Sequence, residues 1–231
     1  MVKILDHGYV DFVEHWGSDE RIIEAARMST DKGFKGWGDE ENPGDEKLLE
    51  YLYKNKHATP FEMAGLVIEV KAPIFIFREW HRHRTQSYNE MSARYIPLPD
   101  ENYVPTVERL VEGANTKTSN KQAQGSGKKL TEVSATAWLN DLMRAYGHLE
   151  WVYQNGLKMG IPKELARLPV TVARYSKMRA SANLRNWIAF LTLRQDSAAQ
   201  WEIRQYADAV GELIQEKFPR TWDLYLKYTK D

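Results

Sequence analysis

Residues 66–95 read LVIEVKAPIFIFREWHRHRTQSYNEMSARY, and three kinds of local order follow one another in them. Leu66 to Lys71, with Val67, Ile68 and Val70, has the β-branched composition of a strand. Ala72-Pro73 then opens a helix with proline at its first position, where a missing N–H does no harm. Ile74, Phe75, Phe77 and Trp80 anchor that helix, Arg78 and Arg82 fall at i and i+4 on one face, and His83 and Arg84 lie near its end, where the helix's negative pole favours cations. From Thr85 to Arg94 the apolar periodicity fades, which predicts a loop or a frayed helix end. Guanidiniums followed by Ser87, Asn89, Glu90 and Ser92 suit a phosphate beside a planar polar ring, because arginine holds phosphate oxygens bidentately and short polar side chains pair with ring amides.

Working outward, Val2 to Leu5, a turn at Asp6-His7-Gly8, and Tyr9 to His15 form a hairpin. Ser18 caps a helix with Asp19 and Glu20 in its first turn, ending near Ser29. Residues 31–44 are a loop, and a helix carrying Leu48, Leu49 and Leu52 starts at Asp45. Thr59-Pro60 with Glu62 reads as a capping box, a structural role that competes with a binding role for the same residues. Residues 100–129 are polar and read as a mobile loop. Its GSGKK lacks the upstream glycine and the following Ser or Thr of a phosphate loop. Thr131 to Asn155 is the longest helix, with Trp138, Leu142, Ala145, Leu149 and Val152 as a core or subunit-interface stripe and Gly156 as its stop. A short helix follows Pro162, a strand runs over 170–182, and after Ser197 a helix buries Trp201, Tyr206, Val210, Leu213 and Ile214 up to Pro219. Short strands with long helices, and neither repeat nor linker, predict a single α+β domain: a mostly antiparallel, twisted sheet packed with long helices.

Composition closes several routes. The formal net charge of +0 gives no global attraction to nucleic acid or membrane, so local clusters must bind any anion. There is no cysteine, hence no thiolate nucleophile, thiolate metal site or disulfide. His81 and His83, two apart, share no helix face and predict no metal site, and the absence of G-x-G-x-x-G argues against a Rossmann cradle. The N-terminus lacks a signal-peptide core, and no run reaches the ~18–20 apolar residues of a membrane span, so a cytoplasmic location is expected. Between Glu164 and Asp196 there is no acidic residue, while Arg167, Arg174, Lys177, Arg179, Arg185 and Arg194 all occur. Interleaved with Tyr175 and Trp187, this 167–194 stretch supports an alternative: a nucleic-acid-binding module.

The order of these residues carries a further reading. Arg82-His83-Arg84 followed after seven residues by Ser92 resembles the RHR-x7-S signature of the flavin-dependent thymidylate synthases, and Asn89-Glu90 with Ser92-Ala93-Arg94-Tyr95 is similar to that family's NE-x-S-x-RY continuation. The segment H-x-TPFE at 57–62, Asn183-x-Arg185, LR-x-D ending at Asp196, and AQWE ending at Glu202 resemble further family motifs in the right order. The resemblance covers most of Ile4 to Tyr228, leaving out 100–129.

That resemblance implies reductive methylation of dUMP to dTMP, with FAD as cofactor, NADPH as reductant and methylenetetrahydrofolate as carbon donor, and no cysteine nucleophile. It places Glu79, Arg82, Glu90, Ser92, Ala93, Arg94, Arg167 and Arg194 on dUMP. It places Ser29, His57, Thr59, Glu62, Arg82, His83, Arg84, Glu90, Asn183, Arg185 and Ala189 on FAD. Arg194 would be catalytic, its guanidinium stabilising a uracil ring deprotonated at N3 and so making C5 the better nucleophile, while Ser92 would orient the substrate. Glu79 stands where many relatives carry Gln, Ala93 where Gly is commoner, and Ala189 where a polar residue is usual. The family is homotetrameric with sites at subunit interfaces, so small-molecule partners and a second copy are implied, and neither nucleic acid nor membrane is.

Overall fold

The structure is a computed structural model that describes residues 1–39, 41–115 and 125–229. Its centre is a five-stranded antiparallel sheet in the order β1-β2-β3-β5-β4, formed by β1 (Val2–Ile4), β2 (Gly8–Trp16), β3 (Gly65–Pro73), β4 (Ser87–Glu90) and β5 (Tyr175–Asn183). The pairing of β3 with β5 sets the two faces. Leu66, Ile68, Val70 and Ala72 lie opposite Ala182, Ala180, Met178 and Ser176, all buried, while Glu69 and Lys71 lie opposite Arg179 and Lys177 on the other face. That second face is polar, with Tyr9 donating to Glu69 at 2.7 Å and Arg179 pairing with Glu69 at 3.1 Å.

The helices among the described residues are α1 (Asp19–Arg27), α2 (Gly44–Lys54) and α3 (Ile74–Trp80) from the first half, α4 (Val107–Asn115), α5 (Glu132–Lys158) and α6 (Lys163–Ala166) from the middle, and α7 (Leu184–Arg194), α8 (Trp201–Lys217) and α9 (Pro219–Thr229) from the end, of which α3, α7 and α8 pack directly against the sheet. Ser18 caps α1 by accepting from the Arg21 N–H, as its position predicts. The core is centred on aromatic rings: Trp80 stacks on Phe190 at 4.6 Å and meets Trp187 and Tyr206 edge-on, all fully buried. Trp80→Ala would cost about 3–5 kcal/mol by cavity formation. Because Trp80 is the last residue of α3 and Phe190 sits one turn before the end of α7, this cluster brings the two helix ends together.

Several local expectations are corrected. Residues 85–94 contain an edge strand, β4; it lacks apolar alternation because only Tyr88 turns inward, its hydroxyl donating to the carbonyls of Trp80 and His83. Helix α3 ends at Trp80, so Arg82 and His83 lie beyond it and do not share a helix face with Arg78. The strand expected from Val170 begins at Tyr175, after a turn in which Arg174 is buried and donates to Pro99 O and Glu150. The polar stretch 100–129 includes α4, held because Thr106 caps Arg109 N and Arg109 reaches Glu202; residues 116–124 lie outside the described residues. Helix α5 runs through Gly156, which packs against Ile161 and Ala166 at distances that would still admit a Cβ. It buries Ala135, Leu139 and Tyr153, leaving the expected stripe residues Trp138 and Val152 exposed.

Candidate functional site

The turn that follows α3 is wound tightly: Arg82 N donates to Glu79 O, His83 N to Trp80 O and Gln86 N to His83 O. Gln86 is buried and accepts from the Trp80 indole N–H at 3.0 Å, which fixes the turn to the core. Arg194 ends α7, where the helix dipole favours a cation. Its Nε donates to His83 Nε2, Nη1 to Glu79 Oε2 and Nη2 to Glu79 O, each at 2.9 Å. One guanidinium thus joins two segments more than 100 residues apart.

The electrostatics follow from this packing. Burial pulls the His83 imidazole down to about 4, and the Arg194 charge adds to the effect, so the ring is neutral near pH 7 and its Nε2 is the acceptor. Glu79 is pushed up mainly by burial; Arg194 opposes the rise and Glu202 adds to it. Burial would raise Glu202 as well, but the hydrogen bonds and charge of Arg109 outweigh it and hold that carboxyl low.

Around this junction lies a cleft of about 780 Å³, lined by Glu79, Arg82 and Arg194 together with Arg109, Thr192, Asp196 and Gln200. The volume falls within the ~300–1,000 Å³ of ordinary ligand pockets. A second pocket, of about 500 Å³, is lined by Glu90, Ser92, Ala93 and Arg167 with Ile74, Met91, Leu98 and Ser176. A third, of about 180 Å³, is lined by His57, Ala58, Arg185 and Ile188 over Leu52, Tyr53 and Phe61.

Within one chain the expected site residues therefore fall into three groups. Glu79, Arg82 and Arg194 line the first cleft, and His83 supports it from behind; Glu90, Ser92, Ala93 and Arg167 share the second pocket; His57 and Arg185 share the third. Arg94 lies beside the second group, its Nε 3.7 Å from Glu164, and Arg84 is exposed beyond the turn. Thr59 forms no capping box: Ala58 precedes a 3-10 turn over Thr59–Met63 with no side-chain cap, and Glu62 pairs instead with Arg185, a charged partner outcompeting a neutral one. Asn183 caps α7, accepting from Asn186 N at 3.0 Å, and Ala189 is exposed on the same helix. Ser29 is exposed, its hydroxyl donating to Ala26 O. The sequence reading missed Arg109 and Gln200, which reach the cleft from α4 and the turn before α8. The signal that marks α4 is Thr106 before Val107, Leu110, Val111 and Ala114, a cap followed by helical apolar spacing.

The basic stretch does not form a continuous surface. Arg174 is buried on Glu150, Arg179 faces Glu69 on the open sheet face, Arg185 pairs with Glu62 and Arg194 with Glu79. Acidic residues from elsewhere in the chain neutralise what the local sequence left unbalanced, which removes the support for a nucleic-acid module.

The family model for thymidylate synthase complementing proteins matches residues 11–220. The chain belongs to this family, that of the flavin-dependent thymidylate synthases. It is 36% identical over 230 residues to the flavin-dependent thymidylate synthase of Wolbachia pipientis wMel, covering 98% of this chain and 76% of that one. It is 37% identical over 227 residues to that of Thermotoga neapolitana, covering 98% and 94%. Among solved structures, a UMP/dUMP methylase, PolB from Streptomyces cacaoi, bound with 5-Br dUMP, superimposes with a TM-score of 0.84 at 28% identity over 99% of both chains. The antiparallel α+β architecture expected from the sequence is thus the observed one, shared along the whole chain with that methylase.

Proposed function

We propose that this protein methylates dUMP to dTMP in the cytoplasm, with FAD as cofactor, NADPH as reductant and methylenetetrahydrofolate as carbon donor. The observation that carries the reading is the junction at Arg194: the two motifs that the family resemblance singled out independently, RHR and LR-x-D, are hydrogen-bonded to one another at the wall of a ligand-sized cleft.

Arg194 has two N–H groups beyond the three it spends on His83 and Glu79, and these can face a uracil carbonyl. A fixed cation there stabilises negative charge on a ring deprotonated at N3 and raises the nucleophilicity of C5, so that a chain without cysteine needs no covalent activation. Arg167, Arg94 and Ser92 suit the phosphate, since they offer charged and hydroxyl donors from an exposed rim.

The residues present fit part of a flavin. The third pocket joins an apolar floor to Arg185 and Lys56, as a planar ring attached to phosphates requires, with Glu62 paired to Arg185 at its side. Arg82, His83, Arg84 and Glu90 would hold the ring end. When bound, the flavin supplies the redox chemistry of the reduction. At about 180 Å³ that pocket takes only one end of so large a molecule, so the complete site needs another copy of the chain. Helix α5 leaves Trp138, Trp151 and Val152 exposed, apolar surface suited to packing into a homotetramer.

The test is an absorbance spectrum. Purified protein is expected to be yellow, and NADPH to bleach it in the absence of oxygen. A colourless protein that takes up no added FAD would overturn the reading.

A further inference from the structure

Arg194 meets three acceptors that differ in how freely they can leave. The Glu79 carbonyl is held by its own helix turn, and the His83 ring is packed edge-on against Phe190 at 4.9 Å in a turn pinned by Gln86. The third acceptor, Glu79 Oε2, stands at the end of a rotatable side chain that is 29% exposed and lines the cleft. A carboxylate on that arm also neutralises the charge that an anionic ligand would seek.

We propose that Glu79 is an internal competitor for Arg194, displaced by a uracil nucleotide only as its carboxylate takes up a proton, so that nucleotide binding and proton uptake form one step. This rests on the nucleotide reading given above. In the step, the Arg194 Nη1–H···Oε2 bond breaks, the same N–H donates to an oxygen of the ligand, and a solvent proton attaches to the Glu79 carboxylate. The ring stays neutral in this step, so Arg194 is left as the uncompensated cation that a later loss of the N3 proton would neutralise.

The groups facing Glu79 favour this outcome. Arg194 from α7 is its direct partner; Glu202 from α8 repels it; Arg109 from α4 is committed to Glu202; and His83 is neutral. Arg82 and Asp196, of opposite charge, also line the cleft. Burial already raises Glu79, and a bound anion would raise it further. The sign follows: affinity is highest and flat below the Glu79 pKa of the free protein, falls as pH rises through it, and levels off above the pKa of the complex.

Calorimetric titration of the flavin-loaded protein with dUMP, in buffers of low and high ionisation enthalpy, measures the protons taken up. At a pH between the Glu79 pKa of the free protein and that of the complex, wild type is expected to take up protons beyond those accounted for by the ligand's phosphate and Glu79→Gln to lose that excess; above both values Glu79→Gln is expected to bind dUMP about tenfold tighter than wild type, a one-unit pKa displacement. Equal proton counts in the two proteins, with both binding dUMP, would overturn the competitor role and leave the nucleotide reading standing. If wild type holds flavin but gives no heat with dUMP at any pH, both fall. Should Glu79→Gln fail to fold, wild type alone decides: a proton count no greater than that of the phosphate refutes the proposal.

Discussion

The cleft at Arg194 and the pocket at Arg167 are both arginine-bearing, yet they are built in opposite ways. Arg194 is 17% exposed and tied by three hydrogen bonds to a neutral histidine and to both the backbone and the side chain of Glu79. Arg167 is exposed and its side chain donates, among the described residues, to the carbonyl of Glu164 at 3.3 Å, with Arg94 3.7 Å from the same residue's carboxylate. The first cation is positioned before any ligand arrives, as stabilisation of developing charge demands. The second pair is free to close on a charge already present in the substrate. Preorganised geometry should act on the rate, and exposed cations on binding.

The sharpest way to break that contrast is Arg194→Ala. It is expected to retain flavin absorbance but to lower kcat for dTMP formation by about 10²–10³ or more. Unchanged turnover, or loss of flavin without loss of chemistry, would erase the distinction. Arg167→Ala should instead raise KM for dUMP by about 10- to 100-fold with a smaller change in kcat, the worth of one charged hydrogen bond. Added salt should weaken dUMP binding in wild type more than in Arg167→Ala, because exposed charges are screened at separations near 10 Å in ~0.1 M salt. A kcat-dominated loss in Arg167→Ala would place both arginines in one role.

The smallest effect concerns stability. His83 is neutral in the folded chain, with its pKa lowered to about 4 from an unfolded value of 6.5. Between these values the unfolded chain binds the extra proton, so His83 contributes stability above pH 6.5 that is lost as pH falls toward 4. Denaturant midpoints measured across that window should slope less steeply in His83→Asn than in wild type; parallel slopes would mean that the imidazole is not held neutral by its place behind Arg194.

Much of this was open to reading from the chain alone, for identifiable reasons. Strand β3 and helices α1 and α8 carry apolar patterns, with an explicit cap at Ser18, so their existence needed no partner; α7 was not read from the chain although Asn183 caps it. The chemistry of the site was likewise local, since arginine, histidine and serine at fixed spacing announce an anion whatever surrounds them. The edge strand β4 was not legible, because it is held by pairing with β5; helix α4 was passed over although Thr106 before Val107, Leu110, Val111 and Ala114 marks it, and the reach of Arg109 to Glu202 adds to its hold.

Which charges remain available was also decided in three dimensions. The sequence by itself determined an antiparallel α+β domain and a set of basic residues suited to an anion. Only the tertiary structure decided that Arg174, Arg179 and Arg185 are neutralised by Glu150, Glu69 and Glu62, and that Glu79 and His83 meet Arg194 at one cleft. Charge pairing depends on distance through space, and residues more than 100 positions apart become neighbours only when buried aromatic rings draw two helix ends together.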